Sequence, residues 1–88
     1  MKVIKAKYSK NILDGRYEVY NENKLIERGK YELGRKERLW VRYYENGIMK
    51  SARYYKNDKL DGFYYLYNKK GEIITKREFY NGKKIKNL

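Results

Sequence analysis

The stretch Tyr55-Lys56-Asn57-Asp58-Lys59-Leu60-Asp61-Gly62-Phe63-Tyr64-Tyr65-Leu66-Tyr67-Asn68-Lys69-Lys70-Gly71 decides how this chain folds. An aromatic residue is followed after three positions by a turn former and after seven by glycine. Two further aromatics follow the glycine, and a second glycine closes the unit. The same spacing runs through the whole chain. From Tyr8 it reaches Gly15, Tyr17 and Tyr20; from Tyr31 it reaches Arg38, Trp40 and Tyr43; from Tyr55 it reaches Gly62, Tyr64 and Tyr67. A fourth start stands at Phe79, so the anchors lie 23, 24 and 24 residues apart. Self-similarity at a fixed period is the mark of a repeat protein, in which each unit covers its neighbour.

The turn chemistry repeats with the anchors. Asn11, Gly34, Asp58 and Gly82 stand three residues after them, and all four residue types accept a left-handed or tight backbone. Asn46-Gly47 and Asn81-Gly82 are hairpin signals, and Asp61-Gly62 is a further candidate. Asn23-Lys24 and Lys70-Gly71 hold the place of Asn46-Gly47 with weaker turn formers. Strands are expected at Tyr17–Tyr20, Leu25–Tyr31, Trp40–Tyr44, Ile48–Tyr55, Phe63–Tyr67 and Ile73–Tyr80, with an alternating N-terminal strand near Val3–Tyr8. Alternation groups Leu25 with Tyr31, Met49 with Tyr55 and Ile73 with Phe79 on one packed face. Tyr17 and Tyr20 are three apart, as are Trp40 and Tyr43, and Tyr64 and Tyr67. Either aromatics line both faces or a bulge intervenes. Tyr17, Trp40 and Tyr64 are expected to stack from unit to unit. The fold expected is all-β: one domain, residues 1–88, built as an elongated, twisted antiparallel meander of hairpins. It comprises about 3.5 units of 23–24 residues, the last one incomplete after Phe79 and Gly82. A helix over Leu33–Tyr44 is disfavoured, because its aromatics cluster instead of recurring every three or four residues. A short C-terminal helix near Lys83–Leu88 is compatible with the sequence, as a cap.

Composition limits the chemistry. The chain has 88 residues and neither cysteine nor histidine. Disulfides, thiolate zinc sites and imidazole acid–base chemistry are therefore excluded. Ser9, Ser51 and Thr75 lack a histidine partner and a nucleophile elbow. Asp14, Asp58 and Asp61 lie beside turns, where carboxylates bind turn amides more often than they do catalysis. Gly29 to Gly34 carries no phosphate-loop pattern. No cofactor or metal site is expected, and the chain reads as a non-enzyme. No apolar stretch is long enough for a signal core or a membrane span. The compartment expected is the cytoplasm if Met1 is the natural start, and an exported or surface-associated place if the chain is trimmed from a longer one.

What remains is twelve tyrosines and a net charge of +12, from 23 basic and 11 acidic residues. Biased composition, with lysine as a solvated face and edge protection, is the competing reading of that charge. Basic residues interleave with aromatics at Lys30-Tyr31, Arg42-Tyr43, Arg53-Tyr54-Tyr55 and Lys76-Arg77-Glu78-Phe79, and Arg53 and Arg77 hold equivalent places. Arg42, Tyr44, Arg53, Tyr54, Tyr65, Lys76 and Arg77 are the expected binding surface. The partner expected is an acidic protein or a second copy of the chain, with anionic lipid or nucleic acid as alternatives.

The pattern Tyr55…Asp58…Asp61-Gly62-Phe63-Tyr64…Tyr67…Gly71 resembles a MORN repeat, in the bacterial variant of the YwqK-like antitoxin group. Gly15-Arg16-Tyr17-Glu18-Val19-Tyr20 and Gly62-Phe63-Tyr64-Tyr65-Leu66-Tyr67 match the central motif of that family. Asn46-Gly47-Ile48 and Tyr80-Asn81-Gly82-Lys83 match its turns. The middle unit departs from it, with Arg38 in place of glycine. The resemblance covers about residues 8–85 and implies a hairpin-built sheet. For function it implies a protein-binding module of antitoxin or immunity type, or a structural segment of a larger repeat protein. Fold alone does not choose between these.

Overall fold

The computed structural model describes residues 1–87. Eight strands follow one another along the chain: β1 (Lys2–Ser9), β2 (Ile12–Asn21), β3 (Lys24–Glu32), β4 (Arg35–Tyr43), β5 (Met49–Lys56), β6 (Lys59–Tyr67), β7 (Ile73–Tyr80) and β8 (Lys83–Asn87). Each pairs antiparallel with the next, so spatial order equals chain order in a single open sheet. The elongated all-β meander expected from the sequence is what forms. Its extents are 39 × 32 × 12 Å. Strands spaced about 4.8 Å apart and rising about 3.3 Å per residue account for the two long dimensions. Among the described residues no second layer lies against either face.

Five of the seven connections are two-residue turns with both residues left-handed. They are Lys10-Asn11 (φ 52 and 68), Glu22-Asn23 (50 and 65), Leu33-Gly34 (50 and 81), Asn57-Asp58 (51 and 70) and Asn81-Gly82 (52 and 85). This turn has the twist that matches two antiparallel strands, which is why Asn, Asp and Gly recur there. The remaining connections, Tyr44–Ile48 and Asn68–Glu72, are wider. Backbone bonds from Tyr44 N–H to the Ile48 carbonyl (2.8 Å) and from Asn68 N–H to the Glu72 carbonyl (2.9 Å) close them.

The strands β2, β4 and β6 begin at Ile12, Arg35 and Lys59, earlier than their aromatic runs indicate. Asp61-Gly62 is not a hairpin turn: it lies inside β6, as Gly15 lies inside β2. Both glycines sit at bulges, with φ +118 and +120. At these bulges the register shifts between Ala6 and Tyr8 and between Arg53 and Tyr55. Arg38 holds the same place in β4 with φ +62, a left-handed backbone that costs a side-chain-bearing residue about 1–2 kcal/mol. The first wide-loop position also differs from expectation: Lys24 opens β3, and the turn is Glu22-Asn23. Tyr44 and Ile48 fall in a loop and not in strands.

A second set of bulges, at Ile26, Lys50 and Ile74, corrects the expected grouping of faces. Leu25, Met49 and Ile73 pair with Tyr20, Tyr43 and Tyr67. Tyr31, Tyr55 and Phe79 belong to the opposite face, because one extra residue in the strand reverses the alternation. Aromatics therefore line both faces. At the C-terminal end, Lys83–Asn87 is the edge strand β8 and not a helix, and it covers β7. Leu88 lies outside the described residues.

The buried centre is small: Val19, Trp40, Val41 and Ser51. In one layer a residue is buried only by its neighbours' side chains. The rings of Tyr17, Tyr31 and Tyr55 and the ammonium of Lys36 surround Trp40.

Candidate protein-interaction surface

Two cross-strand rows define the two faces. Val19, Glu27, Arg42, Ser51, Leu66 and Thr75 pair in succession across β2 to β7. The next row of that face contains Tyr17 and Gly29, then Trp40, Arg53, Tyr64 and Arg77. On the opposite face run Lys5, Glu18, Arg28, Val41, Ala52, Tyr65 and Lys76. We refer to these as the Trp40 face and the Tyr65 face.

The Trp40 face is closed on itself. Tyr17, Tyr31 and Trp40 form a triangle with ring centroids 5.1–5.6 Å apart. The Trp40 indole N–H donates to the Lys30 carbonyl at 3.2 Å. Lys36 Nζ sits 4.7 Å from the Trp40 ring and 5.2 Å from the Tyr55 ring, a shared cation–π contact. Arg53 donates to Glu27 at 3.4 Å and to the Tyr55 hydroxyl at 3.1 Å. Arg42 lies 3.9 Å from the same carboxylate. The Tyr31 phenol is pushed above its ordinary value, first by burial and then by Tyr17, Asp58, Glu27 and Tyr55 around it. The expected stack of Tyr17, Trp40 and Tyr64 is broken halfway. Tyr17 touches Trp40, but Arg53 stands between Trp40 and Tyr64. Gly29 occupies the place of Arg53 one unit earlier, and that exchange lets the first two rings meet.

Short polar contacts also tie the turns to neighbouring units. Asp14 accepts the Leu33 amide at 3.5 Å and Asp61 the Asn81 amide at 3.2 Å. Glu37, at the matching position, accepts the Asn57 amide, and Asp58 accepts the Lys36 amide at 2.7 Å. Asp14 and Asp61 thus cap turn amides as expected, but from inside β2 and β6 and on the turns of the next unit, whereas Asp58, in a turn, accepts a strand amide.

The expected binding residues divide between the faces. Arg42, Arg53 and Arg77 lie on the Trp40 face; Tyr65 and Lys76 lie on the other, where Tyr54 neighbours them. Arg53 is not a free cation, since its side chain is 18% exposed and paired with Glu27. Tyr44 is committed to structure, with its hydroxyl donating to the Tyr67 carbonyl at 2.7 Å. Arg42, Tyr54 and Lys76 are exposed. Phe63, also exposed, stacks on Tyr65 at 5.6 Å with 17° between the rings.

The larger concentration of free charge lies elsewhere on the Tyr65 face and escaped sequence reasoning. A hollow of about 460 Å³ over β1–β4 is lined by Lys7, Arg16, Glu18, Arg28, Lys30 and Arg38. These six residues are scattered over about thirty positions of sequence, and only the strand register brings them together. Among the described residues no cluster of three or more Asp or Glu side chains is placed to hold a metal ion, and no helix is long and apolar enough to cross a membrane. No family model, curated protein or solved structure matches this chain.

Proposed function

We propose that this protein is a non-enzymatic interaction module whose partner is an acidic protein. The observation that carries this reading is an open, one-layer sheet with uncovered faces, on which 23 basic residues face only 11 acidic ones. Such a sheet offers area and field for a partner. The two edges favour an acidic partner over a second copy. Strand β1 carries Lys2, Lys5 and Lys7, and β8 carries Lys83, Lys84 and Lys86. Neither edge strand holds an acidic residue, so joining edges between copies would set lysine against lysine. The resemblance to MORN repeats of the YwqK-like group gives the proposal its specific form, a bacterial antitoxin- or immunity-like module.

A second reading, single-stranded nucleic acid, is favoured by one feature: the exposed Phe63 ring stacked on Tyr65, with Lys76 paired across from Tyr65. Rings beside cations are what a base-stacking platform uses. Titration with acidic, neutral and basic peptides of equal length, beside a short oligonucleotide and anionic liposomes, separates these readings. Selective binding of the acidic peptide, weakening as salt rises from about 0.05 to about 0.5 M, supports the proposal. Equal affinity for acidic and neutral peptides overturns it.

A further inference from the structure

We infer that the hollow on the Tyr65 face, over β1–β4, is the seat for a carboxylate-rich segment of the acidic partner. The inference rests on the interaction reading above and adds a place and a chemistry to it. Five cations and one carboxylate line the hollow, and the backbones of Gly15 and Gly29 form part of its wall. Among the described residues, Lys7, Arg16 and Arg38 make no ion pair. Arg28 is held in place by its Nε–H, which donates to the Tyr43 hydroxyl at 2.9 Å. Lys30 has only an exposed partner, Glu32, at 3.8 Å.

The repeat does not require this charge. At the places equivalent to Arg16, the next two units carry Leu39 and Phe63; at the place equivalent to Lys30, the third carries Tyr54. At the place of Arg28 the other units carry Lys5, Ala52 and Lys76, so a cation is dispensable there only in the unit of Ala52; at that of Arg38 stand Gly15 and Gly62. Two features of the hollow even work against folding. Arg16 pairs directly across from Lys30, and like charges facing each other on neighbouring strands repel. Arg38 adopts φ +62 where its counterparts are glycine. The repulsion is what a bound carboxylate would relieve, and a strained backbone beside it is the kind of feature that gathers at functional sites.

The ligand that fits is a carboxylate-bearing peptide. Guanidinium groups grip carboxylates with two parallel hydrogen bonds, and three arginines face this hollow. No aromatic ring lines it, so a nucleobase would find nothing to stack on there.

The test uses the full chain and a blocked peptide of alternating Asp and Glu, about eight residues long, which spans about 26 Å when extended. Arg38→Gly restores the residue found at the equivalent bulges, so folding is preserved, and circular dichroism with a melting curve checks this. Arg16→Gln removes a second cation of the hollow. Lys83→Gln/Lys84→Gln removes two charges from the far edge as a control. Each hollow variant is expected to weaken peptide binding about tenfold, and the edge variant less than about twofold. If hollow and edge variants weaken binding alike, the hollow is not the seat, while the acidic-partner reading stands. If the unaltered chain does not bind the peptide at all, that reading fails and the hollow with it. If oligothymidylate of equal charge binds more tightly and is weakened by the same hollow variants, the site belongs to phosphate and the inference is overturned.

Discussion

Trp40 lies against the backbone of Gly29 so closely that a Cβ at position 29 would stand 2.1 Å from an indole carbon. The indole fills the space that a side chain in β3 would take, and there it meets Tyr17 and Tyr31. One residue without a side chain thus lets a one-layer sheet bury its largest ring. Gly29→Ala forces the indole out of that seat. We expect a loss of about 2–3 kcal/mol, as for an overpacked core, read as a lower urea midpoint. A loss under about 0.5 kcal/mol would mean that Trp40 reseats freely.

Glu27 and Arg53 are both less than a quarter exposed, and they lie 3.4 Å apart. Arg53 Nε is already buried without a hydrogen-bond partner among the described residues. Removing the carboxylate leaves a half-buried guanidinium unpaired, so Glu27→Ala is expected to cost about 1–3 kcal/mol. Adding Arg53→Leu should recover part of that loss. Strictly additive losses in the double-mutant cycle would show that the two side chains are not coupled.

Leu33 is exposed and left-handed at φ +50, where the matching turns carry Asn57 and Asn81. Leu33→Asn produces an Asn-Gly turn suited to this backbone. Stability should rise by about 1 kcal/mol, measured by thermal and urea unfolding. A destabilised variant would mean that the leucine side chain holds the turn by a contact.

The raised Tyr31 phenol ties stability to alkaline pH. The folded chain keeps this proton at a pH where the unfolded chain has begun to lose it. Its contribution is therefore whole below the ordinary tyrosine value, near pH 10, and is lost as pH rises through the folded value. Between about pH 9 and about pH 11 the unfolding free energy should fall less steeply in Tyr31→Phe than in the parent chain. Identical slopes would remove Tyr31 from the alkaline response.

The sequence exposes the period because anchors such as Tyr31 and Tyr55 and left-handed turns such as Asn81-Gly82 recur at fixed spacing. Asp14 and Asp61 were legible as caps, but the turns they cap lie 19 and 20 residues away and only the strand register brings them together. Bulges were not legible. The extra residue at Ile26 sends Leu25 and Tyr31 to opposite faces, although their spacing in sequence is even. Register also conceals the candidate site. Arg53 looks like a free cation beside tyrosines until its strand neighbours bring Glu27 to it. Lys7, Arg16, Arg28, Lys30 and Arg38 have no common spacing, and only strand order sets them around one hollow. The exchange of Gly29 for Arg53 between units was visible in the aligned repeats, and it was the available clue that the stack of rings would break.

The most direct test of where this sheet receives an acidic partner is an amide spectrum of the isotope-labelled chain, titrated with the Asp-Glu peptide at low salt. Shifts should concentrate at Lys7, Arg16, Arg28, Lys30 and Arg38 and fade as salt is raised. Shifts spread evenly over all lysine-bearing strands, or gathered on β8, would contradict the account.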